Sequence, residues 1–221
     1  MSDRRKQRII CWIGGLVLLG LQSLSWAAGL ESRQDALQGL SHPSAQVRRD
    51  AVLWLGERGA MEDLGALAEA LRDENSEVRL VAEGALVQLW SRPGDQQVDA
   101  LFKSGVKQMS EGRMALAVDT FSKIVELKPD FAEGWNKRAT VYYLLGNYEM
   151  SLKDCEEVMQ RNPYHFGALS GYGLIYMRLG KLEQALEYFE RALEVNPNME
   201  GAQQSVAALR HQLGKQGKQA I

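Results

Sequence analysis

The stretch AEGWNKRATVYYLLGNYEMSLKDCEEVMQRNPYH, residues 132–165, decides how this chain folds. The chain repeats it in outline once immediately upstream and once immediately downstream. Gly146 is matched by Gly112 and Gly180, Ser151 by Ala117 and Ala185, Cys155 by Phe121 and Phe189, and Pro163 by Pro129 and Pro197. Small, bulky and breaker residues thus stay in register through three copies. Apolar residues recur at helical spacing over 114–127, 148–159 and 182–195, which predicts a helix in the second half of each copy. The proline then ends that helix, because it can neither donate a backbone hydrogen bond nor continue the turn. Two short helices cannot bury their apolar faces alone, so the copies are expected to stack.

A period of 34 with glycine at the mid-turn and proline at the end resembles the tetratricopeptide repeat. The resemblance implies three helix–turn–helix units, 98–131, 132–165 and 166–199. The large apolar residue at the fourth position is supplied by Leu101, Trp135 and Leu169, and the small residue at the eighth by Gly105, Ala139 and Gly173. Tyr142 and Tyr176 provide the aromatic at the eleventh position; Gln108 departs from it, and Cys155 departs from the aromatic of the second helix. Tyr142 is therefore expected in the packing column, with Tyr143 turned about 100° away around the helix. Asp130 and Glu133 have capping-box spacing. Residues 200–213 read as a capping helix and the polar, glycine-rich tail 214–221 as frayed.

A second repeat, of shorter period, lies upstream. Val47-Arg48 recurs as Val78-Arg79, Ala51 as Ala82, Leu55 as Leu86 and Leu40 as Leu71, all at one constant interval. The pattern resembles a pair of short HEAT repeats of the phycobilisome-lyase-like type over 31–90. Residues 91–97 form a short junction. Two such units offer little core of their own, so the pair is expected to pack end-on against the first tetratricopeptide unit. The fold class read from the sequence is all-α: an α-solenoid of two HEAT-like repeats, three tetratricopeptide units and a capping helix.

Arg4, Arg5, Lys6 and Arg8 precede an uncharged apolar run, and Ser25 and Ala27 supply small residues after it. This layout is that of a signal peptide over 1–27, with an uncleaved membrane anchor as the rival. It predicts an exported protein of the bacterial cell envelope, periplasmic or secreted, or alternatively anchored in the inner membrane and facing the periplasm. The net charge is −2; the leader's four basic residues against Asp3 leave about −5 on the remainder. An acidic array without a basic stripe does not suit nucleic acid, and a membrane is a partner only if the leader is retained.

His42, His165 and His211 stand far apart, and neither paired histidines at helical spacing nor a Cys-x-x-Cys pair occurs, so no metal is expected. Asp154, Glu156 and Glu157 read as a solvated face, and Cys155 as a buried, inert thiol. With no nucleophile–base spacing the chain reads as non-catalytic and without a cofactor. The resemblance places the first helices of the units along a concave groove. Three stripes are expected there: Phe102, Val106 and Met109; Asn136, Thr140 and Tyr143; and Ser170, Leu174 and Met177, with Lys137 and Arg178 beside them. Such a surface suits a protein or peptide segment held by apolar anchors, which makes the chain an adaptor or scaffold. The alternatives are a membrane-anchored structural or assembly subunit and a bilin-lyase-like cofactor chaperone.

Overall fold

A computed structural model describes residues 30–219; the leader and its cleavage point lie outside the described residues. Among the described residues every regular element is helical. The HEAT pair comprises α1 (Arg33–Gly39), α2 (Ala45–Arg58), a 3₁₀ turn (Met61–Asp63), α3 (Leu64–Ala70) and α4 (Ser76–Trp90). The array follows as α5 (Gln96–Ser110), α6 (Met114–Leu127), α7 (Ala132–Leu144), α8 (Tyr148–Arg161), α9 (Phe166–Arg178), α10 (Leu182–Val195) and α11 (Glu200–Gln219). The last helix therefore runs past Gly214, where the sequence suggested a frayed tail. No helix among the described residues is long and apolar enough to cross a membrane.

The columns of the tetratricopeptide units do two jobs. Gly112, Gly146 and Gly180 take positive φ, +74°, +77° and +72°, a left-handed conformation that other residues adopt at a cost. Each closes the turn between the paired helices with the same two backbone bonds: Gly112 to Met109 and Arg113 to Gln108 in the first unit, Gly146 to Tyr143 and Asn147 to Tyr142 in the second, Gly180 to Met177 and Lys181 to Tyr176 in the third. Gln108 therefore does not disturb the turn. The second job is close approach. A Cβ added to Gly105 would sit 2.7 Å from the Phe121 ring, and one added to Gly173 would sit 2.8 Å from Phe189. The middle unit swaps the volumes: Ala139 faces a smaller filler, Cys155, and both are buried.

The columns of the upstream repeat form the core of the HEAT pair, with Ala51, Leu55, Leu71, Ala82 and Leu86 fully buried. Its arginines also repeat. Arg48 donates through NH1 to the carbonyls of His42 and Pro43, and through Nε and NH2 to the Asp73 carboxylate at 2.6 and 2.8 Å. Arg79 donates through NH1 to the carbonyls of Asp73 and Glu74, and through Nε to Asn198 Oδ1 at 3.1 Å. Asn198, in the loop after the third tetratricopeptide unit, thus stands where a next HEAT repeat would put its Asp. It also donates to the Leu71 carbonyl at 2.7 Å.

This overturns the end-on arrangement. Helices α4 and α5 do not lie side by side as successive solenoid helices do. The HEAT pair instead lies across the loops that follow the tetratricopeptide units. Trp90 stacks on His165 with ring centroids 4.3 Å apart and meets Phe166 at 4.9 Å, and Phe166, Val195 and Met199 join the HEAT core. Arg72 reaches the carbonyls of Glu194 and Val195. The physical reason is that two HEAT units leave an apolar and polar end uncovered, and the loops offer both aromatic surface and amides to cover it.

Candidate functional site: the concave groove

Helices α7 and α9 line the groove, and the second-unit and third-unit stripes converge there. Asn136, Thr140, Tyr143, Ser170 and Leu174 border one cleft of about 210 Å³. Thr140 donates its hydroxyl to the Asn136 carbonyl, which leaves its methyl and the Leu174 side chain as apolar wall. Tyr143 packs on Tyr148, and its hydroxyl accepts from Arg178 Nε at 3.2 Å, so Arg178 joins the rim through that bond. Leu174 and Met177 are each 40% exposed.

The floor comes from residues outside the expected stripes. Ala139, Ser151, Cys155, Gly171, Ile175 and Met199 also line the cleft. The signal for part of it was present in the repeat columns: where the flanking units place Phe121 and Phe189, the middle unit has Cys155, and the missing ring leaves room beneath α7. Burial pushes the Cys155 thiol up to about 12, so it lies there as an uncharged, weakly polar surface.

The first-unit stripe does not reach this cleft. Phe102 is buried, edge-on to Phe121 and Phe131, because the small Gly105 lets α6 press its aromatic column onto α5; its place in the groove is a correction. Met109 is half-buried on the same core, while Val106 is exposed but apart from the cleft. The packing-column assignment of Tyr142 is also corrected. Tyr142 lies beneath the Arg138 guanidinium, 5.8 Å from its ring centre, whereas Tyr143 packs onto the Ala139–Cys155 core.

Below Asn136 lies a buried carboxylate. Asp130 does not cap α7; Phe131 is its N-cap, without a side-chain bond. Glu133 instead turns inward, accepting from Lys137 Nζ at 2.8 Å, from Asn136 Nδ2 at 3.0 Å and from His165 Nε2 at 2.8 Å. His165 Nδ1 accepts from the Ala168 amide, which leaves the proton on Nε2. Burial pushes the Glu133 pKa upward, but His165 and Lys137 outweigh it and hold the group down at about 2. Lys137 is consequently tied to the wall. Asp154 is likewise no solvated residue: it is buried in a two-bond pair with Arg138, both at 2.8 Å. Among the described residues no three His, Cys, Asp or Glu side chains converge as metal ligands would.

Comparison with known proteins gives this geometry a context. The model of the tetratricopeptide repeat matches residues 132–165 and 168–199, and that of HEAT repeats matches residues 34–116. The HEAT match runs on into α5 and α6, whose turn and close approach follow the tetratricopeptide pattern. A TPR repeat-containing protein of Rhizobium etli is 41% identical over 86 residues, 39% of this chain and 42% of that relative. The chain therefore spans less than half the length of that curated relative. The first TPR of Spaghetti (RPAP3), solved with an HSP90 peptide, is 27% identical with a TM-score of 0.52, over 54% of this chain and 96% of that one. The Sgt2 TPR domain of Aspergillus fumigatus shares the fold, at 19% identity and a TM-score of 0.54, over 57% of this chain and 85% of that one. The chain, all-helical among the described residues, thus carries HEAT repeats followed by tetratricopeptide repeats.

Proposed function

We propose that this chain is a non-catalytic adaptor of the bacterial cell envelope, which holds a segment of a partner protein in the groove between α7 and α9. The observation that carries the reading is the cleft itself. An apolar floor beneath Leu174, with the Asn136 amide, the Tyr143 hydroxyl and Arg178 at its edge, is the usual make-up of a site that anchors one side chain and orients its backbone. The Spaghetti domain, similar in fold, carries a peptide of HSP90. Co-chaperone arrays that grip a terminal carboxylate resemble this fold and need Lys and Asn at the fifth and ninth positions of the first unit; those positions are Phe102 and Val106 here, so that ligand is not favoured. Export rests on the order of basic, apolar and small residues over 1–27.

A photocrosslinking residue placed at Leu174 is expected to capture a partner in envelope extract, and Ser170→Arg, which fills the cleft, is expected to abolish the adduct. Adducts that form equally from Leu80, exposed on α4, would sink the groove reading. Export is tested separately by intact mass: a chain beginning at Ala28 supports it, and a full-length chain found only in the membrane fraction promotes the anchored subunit.

A further inference from the structure

A second cleft, of about 200 Å³, opens where the HEAT pair meets the loops after the first and second tetratricopeptide units. We infer that it is a receptor for a carboxylate group, held by Trp90 and Asn162 under the charges of Lys128 and Arg92. The site is distinct from the groove and stands or falls independently of it.

Two side chains of this cleft carry buried N–H donors that no acceptor among the described residues meets: the indole Nε1 of Trp90 and the amide Nδ2 of Asn162. Trp90 is 5% exposed and Asn162 0%. A buried donor left unpaired loses its bond to water and gains none in return, and here two occur together. The Asn162 amide cannot be turned round to relieve it, since its Oδ1 accepts from the Tyr164 N–H at 3.1 Å.

The chain itself shows what such an amide takes. Asn196 stands one full repeat further on, at the same point of the next unit. Its Oδ1 accepts from the Asn198 N–H at 3.0 Å, and its Nδ2 donates to the Glu83 carboxylate at 3.3 Å. Glu83 and Trp90 are two turns apart along one face of α4. The helix thus brings a carboxylate to the amide of the third unit and an indole N–H to the amide of the second. At the second site the donors are doubled and the acceptor is missing.

Charge points the same way. Arg92 donates to the carbonyls of Glu57 and Gly59, at 2.6 and 3.1 Å, so among the described residues its charge meets dipoles there and no anion. Lys128 Nζ lies 3.7 Å from Asp130 Oδ2, an exposed carboxylate. Two cations therefore line the cleft with one anion, beside the N-terminus of α7, which has no side-chain cap and adds the positive end of a helix dipole. With Phe131 as an apolar wall, the fit is a carboxylate on a short aliphatic stem. A free small organic acid and the Asp or Glu side chain of a partner both present that chemistry.

The test follows the Trp90 indole N–H resonance of the full chain, assigned through Trp90→Phe, while glutarate or N-acetylglutamic acid amide is added at constant ionic strength. Either probe is expected to move the resonance saturably, and chloride is not. Asn162→Asp keeps the acceptor for Tyr164 but replaces the donor with an oxygen, and is expected to abolish the response. Lys128→Gln, on the rim, is expected to weaken it about tenfold, as loss of a charge-assisted contact does, and it keeps the test readable if Asn162→Asp does not fold. Tighter saturation by glutarate identifies a free acid as the source; tighter saturation by the blocked glutamate identifies a partner side chain. No saturable movement with either probe overturns the proposal, as does a response that both variants leave intact.

Discussion

The HEAT pair and the tetratricopeptide array solve the same problem, an uncovered end, in opposite ways. The array stacks like on like, with Gly105 under Phe121 and Gly173 under Phe189, and closes with α11, whose Ala202, Val206 and Leu209 cover the last aromatic. The HEAT pair has no further copy. Its first arginine, Arg48, binds the next HEAT loop through Asp73, and its second, Arg79, binds an array loop through Asn198. A repeat thus needs the shape and polarity of a neighbour, not a neighbour of its own kind.

The largest expected effect tests whether the two regions form one cooperative unit. Trp90→Ala removes the ring that stacks on His165 and touches Phe166, and is expected to destabilise the protein by about 3–5 kcal/mol, as aromatic truncations in cores do. The wild type is expected to melt in one transition and the variant in two, with proteolysis then cutting between α4 and α5. A single, merely lower transition would show that the regions are joined by more than this contact.

The next test concerns the charge beneath the contact. Glu133 is depressed from 4.5 to about 2 in the folded chain. A depressed carboxylate contributes stability that is fully present above its unfolded pKa and is lost as pH falls through its folded pKa. A shift of that size corresponds to roughly 3 kcal/mol, lost as pH falls from about 4.5 to 2. Glu133→Gln is expected to flatten the acid limb of stability over that window in urea titrations. An unchanged limb would mean that the group is not coupled to folding as its geometry requires.

The arginines sharpen the comparison directly. Arg48→Met leaves the buried Asp73 carboxylate without its partner and is expected to cost about 3–5 kcal/mol. Arg79→Met breaks hydrogen bonds to neutral acceptors and is expected to cost less, about 1–3 kcal/mol. Equal losses in denaturant melts would mean that the array loop substitutes for a HEAT repeat more completely than its amide suggests.

The smallest effect has opposite signs in the two regions. Gly146→Ala places a side chain at φ +77° and is expected to destabilise by about 1–2 kcal/mol. Gly84→Ala, inside α4 with open space around it, is expected to stabilise by about 0.5–1 kcal/mol. Thermal melts of the two variants moving in the same direction would contradict the backbone account.

Most of the fold was legible because it is periodic. Gly112, Gly146 and Gly180 mark turns, Ala51 and Leu86 mark a core, and each is read against its copies. The second-unit and third-unit sides of the cleft were legible for the same reason, since Asn136, Thr140, Tyr143, Ser170 and Leu174 sit on predictable helix faces. What escaped has no period. Asn198 meets Leu71 across 127 residues of sequence, and the stacking of Trp90 on His165 pairs residues from different repeat types. Phe102 was misplaced because helical spacing gives a face but not the depth to which Gly105 lets the neighbouring helix approach. Asp154 reads as part of a solvated face until Arg138 is seen beside it, and Glu133 as a capping-box residue until Lys137 and His165 are seen around it.

The bridge between α4 and the array loops also has a mechanical meaning. A stack of helix pairs behaves as a spring, in which small rotations at each interface change pitch and widen or narrow the concave side. Helix α4 ties the loop at Asn162 and His165 to the loop at Asn196 and Asn198, and so acts as a strut across two successive coils. The strut holds the loop that opens α9, and Glu133 on α7 is bonded to His165 of that same loop, so α7 and α9 are tied together at their N-terminal ends. On the adaptor reading proposed above, a guest entering between α7 and α9 would meet walls already joined at that end, and less of its binding energy would be spent on ordering them.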